Sequence, residues 1–575
     1  MMLAHVTKLE AADVVSNGGI GRRRAGYLGA TKLMKKLIAS LGLVVVLFAC
    51  SGSQGDHWPT DGWVTSTPEE EGMDSKLLVE MLGEIAREDL AVHSVVVVRN
   101  GRVVLDAYFE PYLKKDNHII YSATKSITAM LIGVAIADGL IEGDTQPVLE
   151  LFPGSRDRPS NIDDRIQALE LRHLLTMTAG FDWQDGPYGV RESGDFSRML
   201  AASDGIAYIL NKEVVEEPGS RHNYNSGGSH LLAAVIQEVT GQTALDYANA
   251  RLFGPIGVRD AAWSEYQGIN NGGSELFLRP RDMARLGYLV LRRGRWDGRQ
   301  VVPEEWIDRM TQPLLKTEFE QMGEEYGYGW YTKRFDGQTV WSAEGLGGNG
   351  IYVVPEHDLV VVFSGGLVGM EMLAPYRYLE EYILPAVRSD GPLPENPEMK
   401  RSLEEMLTGV DEPEPGPAAA VPRAAEAVSS GIFEIEDRNN LLGIEELEFD
   451  FSRPDLGRVR IVYSGTGKDA DWGVDLVYRT DDMIDQQRQV ELKFGLDGRS
   501  RTTRIVHDEI GDIPISARGR WEGECRLVLA VVTGWAIPET WTIDFCEGDS
   551  VSLTIKSAFY STVISGRLAD ISNPA

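Results

Sequence analysis

Residues 127–141 are apolar on nearly every face of the helix that they would form. A helix that is hydrophobic all round lies inside a domain rather than on its surface, so other layers of structure must enclose this one. The chain has the mass to supply them, because 575 residues correspond to roughly two to four domains. Its 43% of hydrophobic and 25% of charged residues are ordinary for a globular protein.

Ser122 and Lys125 stand at the start of this helix, three residues apart. At that spacing both side chains lie on one face, so the hydroxyl and the amine can approach within hydrogen-bonding distance. A lysine accepts a proton from a serine only when its pKa is lowered, and the apolar surroundings predict such a desolvated lysine. Taken alone, the pair is also compatible with a helix cap at Ser122 and a Lys125 that extends to solvent.

Strand patterns stand on both sides of a helical region. Residues 94–98 and 103–109 predict two strands joined by an Asn-Gly turn, which is a strong hairpin signal. Helical segments are predicted at 171–175, 229–240, 280–293 and 375–387, and further strands at 328–332, 350–354 and 359–364. Strands at both ends that enclose helices predict a single α+β domain, whose sheet is built from its two ends.

Two further segments complete the chemical pattern. Tyr224 and Ser226 lie in a turn just ahead of the helix predicted at 229–240, and a glycine-rich stretch at 343–350 leads into a strand. Taken singly, Tyr224 reads as a core or turn residue and the glycine-rich stretch as a loop. Only their order behind Ser122 and Lys125 favours a functional interpretation.

This order of a Ser-x-x-Lys, a Tyr-x-Ser and a glycine-rich strand start resembles the serine β-lactamase and penicillin-binding-protein-like superfamily. The closest likeness is to its class C branch, with the related esterases and aminohexanoate-oligomer hydrolases. Further family landmarks stand in the expected order at 173–180, 281–287 and 352–356. The resemblance covers residues 66–388. It implies a β-lactamase/transpeptidase-like α+β domain with an antiparallel sheet, flanking helices and a helical subdomain.

The resemblance implies a role for each motif residue. Ser122 attacks a carbonyl, Lys125 and Tyr224 handle the proton, and water hydrolyses the acyl-enzyme; which of the two is the base stays open. The backbone N–H groups of Ser122 and Leu346 are expected to form the oxyanion hole. Five further positions are expected to contact substrate, although the first two are also compatible with simple packing: Asp182, Trp183, Ser226, Gly345 and Gly347.

Two departures from the family pattern bear on the substrate. Where β-lactamases commonly have an asparagine and a lysine, this chain has Ser226 and Ala343. Without that lysine a charge-assisted contact to a substrate carboxylate is missing, which favours ester or amide hydrolysis on less anionic substrates. The alternatives are a D-amino-acid peptidase or β-lactamase-type activity, or a catalytically lapsed binding protein of the same fold.

The N-terminal region predicts export. Residues 34–50 combine two lysines, a twelve-residue apolar run and a lipobox-like end at Cys50, the expected lipidation site; an uncleaved anchor or plain secretion are the alternatives. Residues 1–33 are interpreted as an extension ahead of the true start, and 51–65 as a tether. The protein is therefore expected in the cell envelope, meeting the membrane through its N-terminal lipid only.

The C-terminal part has a different composition. Residues 389–430 are rich in proline and alanine and predict a linker with one short helix around 403–407. Residues 431–575 carry short alternating runs that predict a separate all-β domain, a barrel or a sandwich. Cys525 and Cys546 flank two of these runs, so a hairpin there would place them at disulfide distance; two buried thiols are the alternative. A further interpretation makes this domain the main functional part, contacting envelope glycans or lipids.

Charge and histidine placement exclude some partners. A net charge of −31 lacks the cationic surface that phosphate binding requires, so no nucleic-acid partner is expected. The histidines are scattered and the cysteines distant, so neither a metal site nor another cofactor is expected. His222 and His230 lie outside the motifs and are expected to be structural. The expected partner is a small molecule or short peptide with an ester or amide bond.

Overall fold

The computed structural model describes residues 58–152, 163–186, 194–317, 325–408, 420–437, 440, 443–463, 489–507, 511–533, 536–558 and 561–569. The apolar segment forms most of a helix, Thr124–Ala137, which follows a short 3-10 turn, Tyr121–Ala123. We call Thr124–Ala137 the nucleophile helix; twelve of its fourteen residues are buried. Gly133 allows close packing, because a Cβ there would collide with the indole of Trp306.

An antiparallel sheet of eight strands is built from both ends of the first domain. Val92–Arg99 pairs with Leu359–Gly365 on one side and with Arg102–Tyr108 on the other. The full order is Leu315–Lys316, Glu325–Tyr326, Tyr331–Phe335, Gln338–Gly345, Asn349–Val354, Leu359–Gly365, Val92–Arg99 and Arg102–Tyr108. The predicted α+β arrangement is thus confirmed, and the Asn100-Gly101 turn has the positive φ angles, 52° and 74°, that such a hairpin requires.

The sheet separates two apolar cores, because side chains alternate between its faces. Val96 and Val98 pack in the core that contains the nucleophile helix, and Val95 and Val97 pack in the core on the opposite face. Helices Pro280–Leu291 and Ser75–Glu88 contribute to these two cores respectively. Further helices are Asp164–Gln167, Leu171–Leu175, Asp195–Ala201, Gly205–Leu210, Ser226–Thr240, Ala244–Ala248, Glu304–Thr311 and Ala374–Tyr378.

A barrel forms the C-terminal domain. The ten strands among its described residues follow the order Gln489–Gly495, Leu456–Tyr463, Ile444–Asp450, Ile432–Ile435, Ser561–Leu568, Ser550–Lys556, Pro538–Asp544, Arg526–Val532, Gly511–Glu522 and Arg501–His507. The first nine close into a ring where Gly495 pairs with Arg518. The tenth pairs on Gly511–Glu522. Of the two predicted all-β forms the structure has the barrel, and a disulfide joins Cys525 to Cys546.

The described parts of the connecting segments pack on the two domains. Residues 58–65 of the predicted tether pack on the domain, because Trp58 and Trp63 bury their rings near Tyr288. Within the predicted linker, helix Pro397–Thr408 packs against Ser75–Glu88, and Arg423–Val428 buries two residues in the barrel core.

Some predictions fall outside the described residues. They are the extension at 1–33, the signal at 34–50 with Cys50, the start of the tether and the linker residues 409–419. Among the described residues, no helix combines the length and the apolar composition that crossing a bilayer requires.

Candidate active site

The nucleophile helix brings the predicted serine and lysine together. Lys125 Nζ donates hydrogen bonds to Ser122 Oγ at 3.1 Å and to the carbonyl oxygen of Gly273 at 2.7 Å. Lys125 is only 4% exposed, and this burial lowers the pKa of its amine to about 8. Ser122 is partly exposed, so a substrate can reach the hydroxyl while the lysine stays away from water.

Tyr224 completes the predicted triad of side chains. Its hydroxyl is hydrogen-bonded to the Ser122 side chain, and Lys125 Nζ lies 4.7 Å from the centre of its ring. Burial raises the pKa of the Tyr224 hydroxyl well above its usual value. Near neutral pH the phenol therefore keeps its proton, whereas a fraction of Lys125 is neutral and able to accept one.

Asp185 is a member of the site that the sequence reasoning missed. Its carboxylate is 8% exposed and accepts hydrogen bonds from Ser226 N at 2.6 Å, Ser226 Oγ at 2.8 Å and Trp183 Nε1 at 2.8 Å. Its charge raises the pKa of both Lys125 and Tyr224. Asp185 therefore opposes the effect of burial on the lysine.

Two of the predicted substrate contacts form hydrogen bonds to Asp185. Trp183 and Ser226 are buried and hold Asp185. Trp183 also lies so close to Gly227 that a Cβ there would collide with its ring. Asp182 is exposed, and its backbone N–H donates to the carbonyl of Glu213 at 2.8 Å.

A turn at 271–273 supplies the second acceptor of the lysine. Gly273 N donates to Asn271 Oδ1 at 3.2 Å. Both glycines of the turn lie against the helix that begins at Ser226, where a Cβ on Gly272 would collide with the carbonyl of Ser229. Two asparagines followed by two glycines are a turn signal, but that signal does not tell which residue the turn faces.

The strand Gln338–Gly345 lies directly beside the nucleophilic turn. A Cβ on Gly345 would collide with the carbonyl of Ile120 and lie 3.0 Å from Ser122 N. The carbonyl of Leu346 accepts a hydrogen bond from Asn349 Nδ2 at 2.6 Å, and the turn continues through Gly347 at φ 80°. Of the predicted residues, Gly345 thus lies beside Ser122, and Leu346 and Gly347 follow it directly in the chain.

At position 343, where the family pattern commonly has a lysine, this chain has an alanine. Ala343 is fully buried in the core that contains the nucleophile helix. Lys333, on the neighbouring strand, lies on the other face with Glu344, and its Nζ donates to Glu344 Oε1 at 2.6 Å. Its cation also lies 3.5 Å from the centre of the Tyr376 ring. The charge of Lys333 is therefore neutralised away from Ser122.

The two histidines near the motifs are buried. The ring of His222 packs edge-on against Tyr326, with 5.6 Å between centroids. Burial lowers the pKa of His230 to about 4, so its imidazole is neutral at physiological pH. The structure brings Lys125, and neither histidine, to the Ser122 hydroxyl.

Comparison with known proteins places this geometry in context. Residues 82–364 match the family described as Beta-lactamase. The chain is 24% identical over 292 residues to a 6-aminohexanoate-dimer hydrolase of Paenarthrobacter ureafaciens, covering 48% of this chain and 72% of that protein. It is 25% identical over 176 residues to a D-aminopeptidase of Brucella anthropi, covering 29% and 32%. A solved octameric penicillin-binding protein homologue from Pyrococcus abyssi aligns at 16% identity and a TM-score of 0.42, covering 86% and 99%.

Proposed function

The chain carries a β-lactamase-family hydrolase domain at residues 82–364, and we propose that it cleaves ester or amide bonds through an acyl-enzyme on Ser122. The observation that carries the proposal is the hydrogen bond of 3.1 Å between Lys125 Nζ and Ser122 Oγ. It joins a partly exposed hydroxyl to a buried amine whose pKa is about 8. An activated serine requires such a neighbour.

The proton follows the hydrogen bonds around Ser122. Neutral Lys125 accepts the proton of Ser122 as Oγ forms its bond to the substrate carbonyl. Tyr224 keeps its own proton at neutral pH and is hydrogen-bonded to Ser122. It donates that proton to the leaving group and takes the one held by Lys125. A water molecule then attacks the acyl-enzyme, the same groups carry its proton to Ser122, and the acid is released.

The carbonyl oxygen gains negative charge during attack. We assign its stabilisation to the backbone N–H groups of Ser122 and Leu346. Gly345 approaches the nucleophilic turn closely, and Leu346 is the next residue in the chain. Removing one donor of this kind costs about 3 to 4 kcal/mol of transition-state stabilisation.

Charge around the site supports neutral or cationic substrates. Ala343 offers no cation, and the cation of Lys333 is paired with Glu344 on the far face of the sheet. A substrate carboxylate therefore lacks a charged partner there, whereas the buried Asp185 adds negative charge. The names of the two relatives describe amide-cleaving enzymes, which is compatible with an amide substrate for this chain.

A substrate panel tests the proposal. It comprises a p-nitrophenyl ester, a D-alanine p-nitroanilide and a chromogenic cephalosporin, with wild type, Ser122→Ala and the exposed control Ser220→Ala. We expect turnover of the ester or the anilide to fall by at least about 1,000-fold in Ser122→Ala and to be unchanged in Ser220→Ala. Equal activity of wild type and Ser122→Ala would contradict the proposal. Efficient cephalosporin turnover would contradict the substrate assignment.

We further propose that residues 34–50 direct export and that Cys50 is lipidated. The support is the sequence pattern of two lysines, an apolar run and a small residue before the cysteine. Mass spectrometry of the protein expressed in a bacterial host tests this. A lipidated N-terminus at Cys50 that disappears in Cys50→Ala is expected, and a mature N-terminus elsewhere would contradict it.

A further inference from the structure

The residue that precedes the nucleophile has an unfavourable backbone conformation. Tyr121 has a φ of 46°, in the left-handed region that residues with a Cβ rarely adopt. Such a conformation persists only when the surrounding structure holds it. Because Ser122 follows directly, whatever holds Tyr121 also fixes the backbone N–H of the nucleophile.

Tyr121 packs against a cluster to which the C-terminal barrel contributes. This buried cluster is built by both domains. Tyr112, Ile119, Ala262 and Phe277 belong to the first domain, which carries Ser122 and is called the catalytic domain below, and Ile513 and Ala536 belong to the barrel. We call these six residues the shared cluster. Val532 of the barrel packs against it as well. The support of the nucleophilic turn is therefore built by both domains.

Directional contacts fix the barrel on the catalytic domain next to this cluster. Arg504 of the barrel donates two hydrogen bonds to Asp116, at 2.8 and 2.9 Å. The Asp116 side chain is 1% exposed, so removing Arg504 leaves a buried carboxylate without its charged partner. The Tyr112 hydroxyl also donates to the carbonyl of Thr533 at 3.3 Å.

The barrel reaches the other side of the site at Gly366. A Cβ on Gly366 would collide with the carbonyl oxygen of Ala536 and lie 3.1 Å from Pro538. The next residue, Leu367, donates its backbone N–H to Gly347 at 3.0 Å. Gly347 directly follows Leu346, so the barrel is linked to Leu346 through Gly366, Leu367 and one hydrogen bond.

We propose that the barrel domain positions the active site, holding Ser122 through Tyr121 and Leu346 through Gly366. This inference rests on the proposed function and extends it, because it gives the barrel a part in the reaction that requires no contact with substrate. Arg504 is then a positioning residue. Loosening the barrel displaces the nucleophile and the oxyanion donors, which lowers kcat while leaving KM nearly unchanged.

Two arginines of the barrel provide the test and its control. Arg504→Ala removes the pair with Asp116 at the domain interface. Arg526→Ala removes a surface ion pair with Asp544, and both of these residues belong to the barrel domain. We expect Arg504→Ala to lower kcat between about 10- and 100-fold with KM changed less than threefold. Arg504→Lys is expected to restore part of kcat, and Arg526→Ala to leave both constants within twofold of wild type.

A second readout does not depend on activity. Hydrogen–deuterium exchange of the peptide that contains Ser122 is expected to speed up in Arg504→Ala and to match wild type in Arg526→Ala. Unchanged exchange and kcat in Arg504→Ala, or equal losses in both variants, would overturn the inference. If the wild type turns over none of the substrates, the proposed function is rejected. Faster exchange in Arg504→Ala than in that wild type would still support the positioning role of the barrel. If Arg504→Ala fails to fold, Tyr112→Phe removes only the hydrogen bond to Thr533, and a smaller change in the same direction is expected.

Discussion

Replacing Lys125 by methionine should remove a cost of folding that depends on pH. The side chain is 4% exposed, and burial lowers the pKa of the amine from about 10.4 to about 8. Between these two values the unfolded chain binds the proton and the folded chain does not. The stability of the wild type therefore rises with pH through this range, and the variant lacks that rise.

The size of the effect follows from the two pKa values. At about 1.4 kcal/mol per pH unit, the difference amounts to about 3 kcal/mol in total. Of this, about 2 to 3 kcal/mol is recovered between pH 7 and pH 10. The variant also leaves the carbonyl of Gly273 without its donor, which costs about 1 to 3 kcal/mol at every pH. The change with pH, rather than the value at pH 7, is therefore diagnostic.

Urea unfolding at pH 7, 8, 9 and 10 measures this change. We expect the free energy of unfolding of the wild type, relative to Lys125→Met, to increase by about 2 to 3 kcal/mol over the series. Lys76→Met is a matched control, because Lys76 is 64% exposed, and its difference from wild type should stay constant. A difference for Lys125→Met that is flat or decreases with pH would refute the burial of a cationic lysine at this site.

Further predictions concern activity and the barrel. The kcat/KM of an uncharged ester should rise with pH through an apparent pKa of about 8, the pKa of Lys125. Asp185→Asn should lower this apparent pKa, because the Asp185 charge raises the pKa of Lys125. Identical pH profiles of the wild type and Asp185→Asn would contradict this. Gly345→Ala should lower kcat by about 100-fold or more with an unchanged circular dichroism spectrum, since the added Cβ collides with the backbone before Ser122; activity within threefold of wild type would contradict it. Replacing both Cys525 and Cys546 by serine should lower the free energy of unfolding of the barrel by about 3 kcal/mol, because the disulfide restricts the unfolded chain across a sequence separation of 21. An unchanged midpoint of urea unfolding would contradict this.

Local features of the fold and the site were predictable from sequence. Ser122 and Lys125 meet because a single helical turn sets their distance, and the apolar run behind them required a buried helix. The hairpin at Asn100-Gly101 was predictable because the two turn residues alone determine the backbone twist that joins its strands. Each of these depends on neighbours in the chain.

Features that depend on distant segments were not predictable in this way. Asp185 reaches Ser226 from 41 residues away, and Gly273 meets Lys125 across 148 residues. The pairing of Arg504 with Asp116 spans 388 residues and two domains. No local pattern marks these partners, because their proximity is produced by the packing of the whole fold.

Covalent labelling shows whether Ser122 is the nucleophile. The wild type and Ser122→Ala are incubated with a fluorophosphonate at pH 6 and pH 9, and the adduct is located by intact and peptide mass spectrometry. We expect one adduct on Ser122, formed faster at pH 9 because more Lys125 is neutral there, and none in Ser122→Ala. An adduct on another residue, or equal labelling of Ser122→Ala, would contradict it.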